Sequence, residues 1–265
     1  MITYPYENSE KPPISPEILV RELILKLALK GHERVLHIGS GDGKVTKAIA
    51  ACLPRGSVLG IDSSSELIGD DGYPLNRYNN ISFAVRDYSN LTFKDEFDII
   101  FSHDLTNGAA NNIQFFEGIS VALRSGGRVL LQMEGTGSSE EVISRVHALL
   151  SIKPWNEYFF GFEIPSLPNS EETMSVCEAA GLYTLRLDLL SKTILFSDDA
   201  SFEAWIRNIW SQVIMKVPRD QRDGFVSAIL REYQLLYSSA SDGSIMFQVS
   251  RLEIEARKVS GPDTS

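Results

Sequence analysis

Two rhythms of apolar residues alternate through the first 150 positions. The runs "RVLHI", "SVLGI", "ISFAV", "FDIIFS" and "RVLLQM" are short and nearly continuous. Between them, "KVTKAIAACL", "SSELIG", "NNIQFFEGISVALR" (closed by the "SGG" of Ser125 to Gly127) and "SSEEVISRVHALL" place apolar residues at helical spacing. Continuous strands alternating with amphipathic helices predict an α/β domain, a parallel sheet covered on both faces. An amphipathic helix precedes it in "ISPEILVRELILKLALKG", with Ser15 as its cap, Pro16 in the first turn and Gly31 at the exit.

The rhythm changes after Trp155. A Pro- and aromatic-rich loop leads to a helix over about Glu171–Ala180, and "YTLRLDLLSKTILF" has strand character. "DDASFEAWIRNIWSQVI" and "RDQRDGFVSAILREYQLLYS" read as amphipathic helices, and "SIMFQVSRLEIEARK" as a strand with one covered face. Helices between the last two strands predict a cap on the main sheet. The expected layout is one domain over 1–265: an N-terminal helix and lid at 1–31, a binding core at 32–150, a substrate-side cap at 151–240, a final strand at 241–258 and a disordered tail at 259–265.

Composition narrows the function classes. The 265 residues are 43% hydrophobic and 23% charged, an ordinary globular balance. A formal net charge of −10 opposes non-specific binding to nucleic acid, which relies on Lys and Arg neutralising phosphates. The N-terminus has no apolar signal core, and no stretch approaches the roughly 20 apolar residues that span a bilayer. The expectation is a soluble, cytoplasmic protein acting on a small molecule, without nucleic acid or membrane partners; oligomeric state stays open. The two cysteines, Cys52 and Cys177, read as buried small hydrophobes, and no metal is expected.

The chemistry concentrates at "RVLHIGSGDGKVTKAIA". Gly39, Gly41 and Gly43 end a strand and open a helix. Glycines permit positive φ and close approach of a ligand, and the helix start supplies amide donors. The spacing is G-x-G-x-G, not the G-x-G-x-x-G of dinucleotide folds, and no G-K-[ST] follows for a phosphate loop. Asp62 ends the second strand about 20 residues on, where an acid can accept both ribose hydroxyls of an adenosine. Asp87 ends the third strand at the same edge, where it can accept the adenine amine with Tyr88 against the ring.

With these residues in this order, "VLHIGSGDG", "GID", "VRD", "FDIIFS" and "LRSGGRVLLQM" resemble the class I S-adenosylmethionine-dependent methyltransferases over Arg34 to Met133. The layout of the second half is similar to the small-molecule branch that contains trans-aconitate methyltransferase. The resemblance implies a three-layer, doubly wound, Rossmann-like sheet of seven mostly parallel strands, the last antiparallel, with a helical cap. It implies S-adenosyl-L-methionine as cofactor, held by His37, Gly39, Ser40, Gly41, Gly43, Asp62, Ser63, Asp87, Tyr88 and Ser102.

Two departures from that pattern matter. His37 stands where the family usually has an acid near the cofactor ammonium, so it either accepts one neutral hydrogen bond there or is simply a satisfied histidine at a strand end. After the fourth strand the chain reads "SHDLTNGAANN". His103 is either a general base or a packing residue beside the loop, and Asp104 is a cap or solvated residue. The N-terminal segment offers Lys11 but no Arg for a tricarboxylate, so that substrate is not carried over. Tyr6, Asn107, Trp155 and Tyr158 are the candidate substrate pocket, while Trp205 and Trp210 read as packing residues. The expected activity is methyl transfer to an O, N or C nucleophile. The rivals are a cyclisation or rearrangement on the same scaffold, and a non-catalytic regulator.

Overall fold

Five strands run parallel because each is followed by a crossover: β1 (Arg34–Ile38), β2 (Ser57–Asp62), β3 (Ile81–Val85), β4 (Phe97–Leu105) and β5 (Leu123–Glu134). They belong to a computed structural model that describes residues 16–63, 79–88, 91–105, 112–135, 140–162, 169–196, 198–236 and 243–259. With β6 (Leu182–Phe196) and β7 (Ile245–Lys258), the sheet order is β3-β2-β1-β4-β5-β7-β6, and β7 is antiparallel to both neighbours. This is the seven-stranded, doubly wound sheet that the alternation and the resemblance imply. The winding direction reverses between β1 and β4, and ligands of such sheets bind at the carboxyl edge of that reversal.

Strand residues alternate between the two faces. Leu36, Ile38, Ile61 and Ile100 pack with α3 (Ile113–Ala122) and α5 (Ser170–Ala179) through Phe115, Phe116, Ile119 and Cys177. Val35, Val58, Ile99, Phe101 and Leu130 face the other way, onto Leu23 and Leu27 of α1 (Pro16–Leu27) and Ile49 and Ala50 of α2 (Lys44–Ala51). Asn112 and Asn169 cap α3 and α5, their side chains accepting from the amides of Gln114 and Glu172. α1 ends earlier than the exit glycine suggests: Ala28, with φ +41°, takes the left-handed position after Leu27, and Gly31 (φ +92°) lies four residues past the helix, where a Cβ would come within 3.2 Å of Pro54. The Ser15 cap, the "SSELIG" segment and the tail beyond Val259 lie outside the described residues.

The last two strands outrun the sheet. β5 pairs with β7 only from Glu134 opposite Arg251 to Arg128 opposite Arg257. Beyond the carboxyl edge, Ile245–Ser250 of β7 pairs with Ser191–Phe196 of β6 as a two-stranded ribbon. A bare ribbon is marginal in water. Here it is covered by α4 (Glu140–Leu150), the segment around Phe159, α6 (Asp199–Ile209), α7 (Ser211–Ile214) and α8 (Arg222–Leu236). Phe196, Phe202, Phe225, Tyr233 and Phe247 form the centre of this second apolar cluster. The single helix predicted through "DDASFEAWIRNIWSQVI" breaks at Trp210. Residues five apart on one helix point about 140° from each other, so an unbroken helix does not turn both Trp205 and Trp210 to the cluster. The break does, and the Trp210 indole N–H donates to the Tyr233 hydroxyl at 3.0 Å.

Candidate functional site

The glycine turn is stitched to the second strand. The amides of Gly39 and Ser40 both donate to the Ile61 carbonyl, at 2.9 and 3.0 Å, and Gly43 N–H donates to Ser40 O at 2.9 Å. All three glycines sit in the left-handed region, with φ of +72°, +51° and +76°. They serve different ends. A Cβ on Gly43 would lie 2.8 Å from the Phe83 ring, whereas a Cβ on Gly41 would meet nothing within 4 Å. Gly43 is glycine for close packing; Gly41 keeps one side of the turn open.

The two acids arrive beside this turn because β2 and β3 stay in register to their ends. Val85 lies opposite Asp62, and Arg86 N–H donates to Asp62 O at 2.9 Å, so Asp87 and Tyr88 emerge at the same edge. The nearly buried Asp62 carboxylate accepts the Gly41 amide at 3.0 Å. Ser63 and Asp87 are exposed, and the half-buried Tyr88 stands edge-on to Phe115 at 6.3 Å. The hydroxyls of Ser40 and Ser102 are buried without a hydrogen-bond partner. Buried polar atoms are rarely left so, and an orphaned donor-acceptor pair at the carboxyl edge fits a polar ligand.

On the α1/α2 face, His37 is fully buried. Its Nδ1 lies 2.7 Å from Thr46 Oγ1 of α2, and its Nε2 lies 3.2 Å from His103 Nδ1. Burial first, and the facing His103 imidazole second, hold His37 well below the ordinary histidine value, so it is neutral. His103 sits on a β-bulge: Ser102 lies opposite Leu131 and Leu105 opposite Met133, which gives β4 one extra residue against Gln132. Bulges re-aim side chains beside active sites and free a carbonyl from the ladder. Here the freed His103 carbonyl accepts from Arg251 Nη1 of β7 at 2.9 Å. Behind it, the fully buried Glu253 accepts from Gln132, Lys26 and Arg186. Burial pushes the Glu253 carboxyl up, yet these hydrogen bonds outweigh it and hold the group below its ordinary value.

The structure therefore brings His37, the glycine turn, Asp62, Asp87 and His103 to one edge of the sheet. Trp155 and Tyr158 sit in the cap cluster with cap partners: Trp155 packs on Phe225 at 5.0 Å, and Tyr158 donates to Gln221 at 3.1 Å. Tyr6 and Asn107 lie outside the described residues. Thr46, Phe83, Gln132 and Arg251 belong to the site but escape sequence reading. Thr46 reads as one polar residue of a helix. Arg251 reaches His103 only through strand register, across 148 positions of chain.

Other groups carry less chemistry. Burial first, and Glu178 second, push the Cys177 thiol up to about 12, which removes it as a nucleophile. Among the described residues, no three His, Cys, Asp or Glu side chains converge as metal ligands, and no helix is long and apolar enough to cross a membrane. A groove of about 470 Å³ bounded by Lys30, Glu33, Asp98 and Arg128 lies at the opposite, amino edge of the sheet. Its acids are already engaged, Glu33 by the amides of Lys30, Gly31 and His32, and Asp98 by Arg34 N–H and Arg124.

Comparison with known proteins points the same way. Residues 29–173 match a family described as a methyltransferase domain. A trans-aconitate 2-methyltransferase of Methylobacterium radiotolerans is 23% identical, over 90% of this chain and 92% of its own. Two solved structures share the fold. One is a phosphoethanolamine N-methyltransferase of Haemonchus contortus in complex with S-adenosyl-L-methionine (TM-score 0.54, 20% identity, 91% of this chain, 52% of that one). The other is a [4+2]-cyclase (TM-score 0.61, 16% identity, 97% of this chain, 86% of that one).

Proposed function

The chain belongs to the methyltransferase-domain family, and from that premise we propose that it transfers the methyl group of S-adenosylmethionine to an O, N or C nucleophile of a small organic molecule. The observation that carries the reading is the carboxyl edge itself: an open glycine turn, an acid hydrogen-bonded to it, and two orphaned buried hydroxyls at Ser40 and Ser102. Gly39, Ser40, Gly41 and Gly43 would hold the methionine part. Asp62 and Ser63 would take the ribose hydroxyls, Asp87 the adenine amine and Tyr88 the ring face, with Ser102 beneath. Bound there, the cofactor supplies an electrophilic methyl on a sulfonium centre. The chain's own part is to align the acceptor, exclude water and take a proton. His103 Nε2 is the proposed proton acceptor, and the cap around the β6–β7 ribbon, with Trp155 and Tyr158, supplies the enclosure.

The small-molecule acceptor is supported by the trans-aconitate methyltransferase likeness over 90% of the chain and by the formal net charge of −10, which opposes a nucleic-acid substrate. Calorimetry with S-adenosylmethionine tests the cofactor site, and no heat at millimolar ligand would sink the reading. Transfer of labelled methyl to a panel of small carboxylates, amines and phenols then tests the reaction.

A second reading has one specific support, the imidazole pair where an acid usually stands. His37 and His103 can move a proton without methyl transfer, and one protein of this fold is a [4+2]-cyclase. A bound but unconsumed cofactor, with product of unchanged mass, would favour it. Labelled methyl in the product rules it out.

A further inference from the structure

Both ring nitrogens of His37 are committed inside the protein, Nδ1 to Thr46 Oγ1 at 2.7 Å and Nε2 to His103 Nδ1 at 3.2 Å. His37 and Thr46 are fully buried. A neutral imidazole carries one N–H, so the chain of bonds has two settings. In the first, His37 Nδ1–H donates to Thr46, and His37 Nε2 accepts from His103 Nδ1–H. The lone pair of His103 then lies on Nε2. In the second, His37 Nε2–H donates to His103 Nδ1, and neutral His103 carries its proton on Nε2 and has no basic lone pair there. Only the first setting survives when His103 takes up a proton. The imidazolium bears N–H on both nitrogens and needs an acceptor facing Nδ1.

Resting on the reading of His103 as proton acceptor, we infer that His37 is a positioning residue: anchored by Thr46, it holds His103 in the Nδ1–H tautomer and accepts its hydrogen bond before and after protonation. The proton shed by the acceptor nucleophile forms a bond to His103 Nε2, and His37 stays neutral throughout. The division of labour is that of a base oriented by a third group, with a neutral imidazole in place of a carboxylate. Other contacts restrain His103 independently. Phe101 stacks on its ring at 5.8 Å, and Arg251 holds its carbonyl. The remaining charges behind this face, Glu253, Lys26 and Arg186, are tied to one another. Of these contacts, the bond to His37 is the one made at a ring nitrogen of His103.

The test is an imidazole ¹⁵N–¹H correlation spectrum of the full chain, paired with calorimetry using S-adenosylhomocysteine. Wild-type His103 is expected as the Nδ1–H tautomer; finding Nε2–H overturns the inference. His37→Gln places an amide at the Nε2 position and is expected to keep that tautomer. His37→Asn reaches only the Nδ1 position and is expected to lose it, with His103 found in the Nε2–H form. Thr46→Val leaves both rings in place but removes the anchor, and is expected to give a mixture. An unchanged His103 tautomer in both His37→Asn and Thr46→Val overturns the inference. So does a loss of cofactor affinity of about tenfold or more in His37→Asn with the tautomer unchanged, which would assign His37 to the ligand instead. Failure of the wild type to bind cofactor would remove the methyl-transfer reading while the tautomer result still decides the role of His37.

Discussion

Gly41 and Gly43 stand two residues apart in one turn, yet substitution separates their roles. Gly43→Ala forces a positive φ on a Cβ and drives it into Phe83. The expected loss is about 1–3 kcal/mol in urea unfolding, with the slope of the transition unchanged. Gly41→Ala bears only the φ cost, about 1 kcal/mol, but its methyl points into the open side of the turn. It is expected to weaken S-adenosylmethionine by roughly tenfold or more in calorimetry, and equal affinity would show that no ligand lies there. His37 makes a different prediction, because its folded value is depressed. Below about pH 6.5 the unfolded chain takes up a proton that the folded chain refuses, so stability falls as pH falls. Between pH 6.5 and 5, wild type should lose up to about 1.4 kcal/mol per pH unit more than His37→Asn. Parallel stability profiles would contradict a neutral, buried His37. The glycines and Asp62 were legible in the sequence because turn chemistry and strand ends are local. The bonds of His37 to Thr46 and His103 were not, because they depend on which faces of β1, α2 and β4 meet.

At the scale of elements, the ribbon formed by the far ends of β6 and β7 holds the cap. Phe247 is fully buried on that ribbon and contacts Phe202, Trp205 and Tyr233, with ring centroids 4.9–6.2 Å away. Phe247→Ala is expected to cost about 3–5 kcal/mol, read as a lowered midpoint in chemical denaturation. Trimming the exposed Met246 beside it to Ala should change stability by less than about 0.5 kcal/mol. Equal losses would mean that the ribbon does not anchor the cap. The strand character of β6 and β7 was readable from their residues. Their overhang was not, since alternation says where a strand runs but not where its neighbour stops. The position of α4 is similar: its apolar stripe fits the sheet or the cap equally well, and Val142 and Val146 go to the cap cluster.

Across the whole molecule, Glu253 joins four elements, binding Lys26 of α1, Gln132 of β5 and Arg186 of β6 from its place on β7. Removing one member of a buried charge cluster leaves the others uncompensated, although Lys26 and Arg186 keep some contact with water. Glu253→Ala is therefore expected to cost about 2–4 kcal/mol, and Glu253→Gln less, because its amide oxygen still accepts. Urea midpoints for the two variants check this ordering, and a Gln variant as unstable as Ala would refute it. Glu253 lies two residues from Arg251, so the strand that carries this cluster also holds the His103 bulge. By itself, the sequence determined the alternation of strands and helices, the glycine turn and the acids at the strand ends, because periodicity and turn residues act over short stretches of chain. The tertiary structure alone decided the partners of His37, the support of His103 by Arg251 and the seat of the cap. Those depend on strand register and helix packing between residues far apart in the chain, which no local pattern encodes.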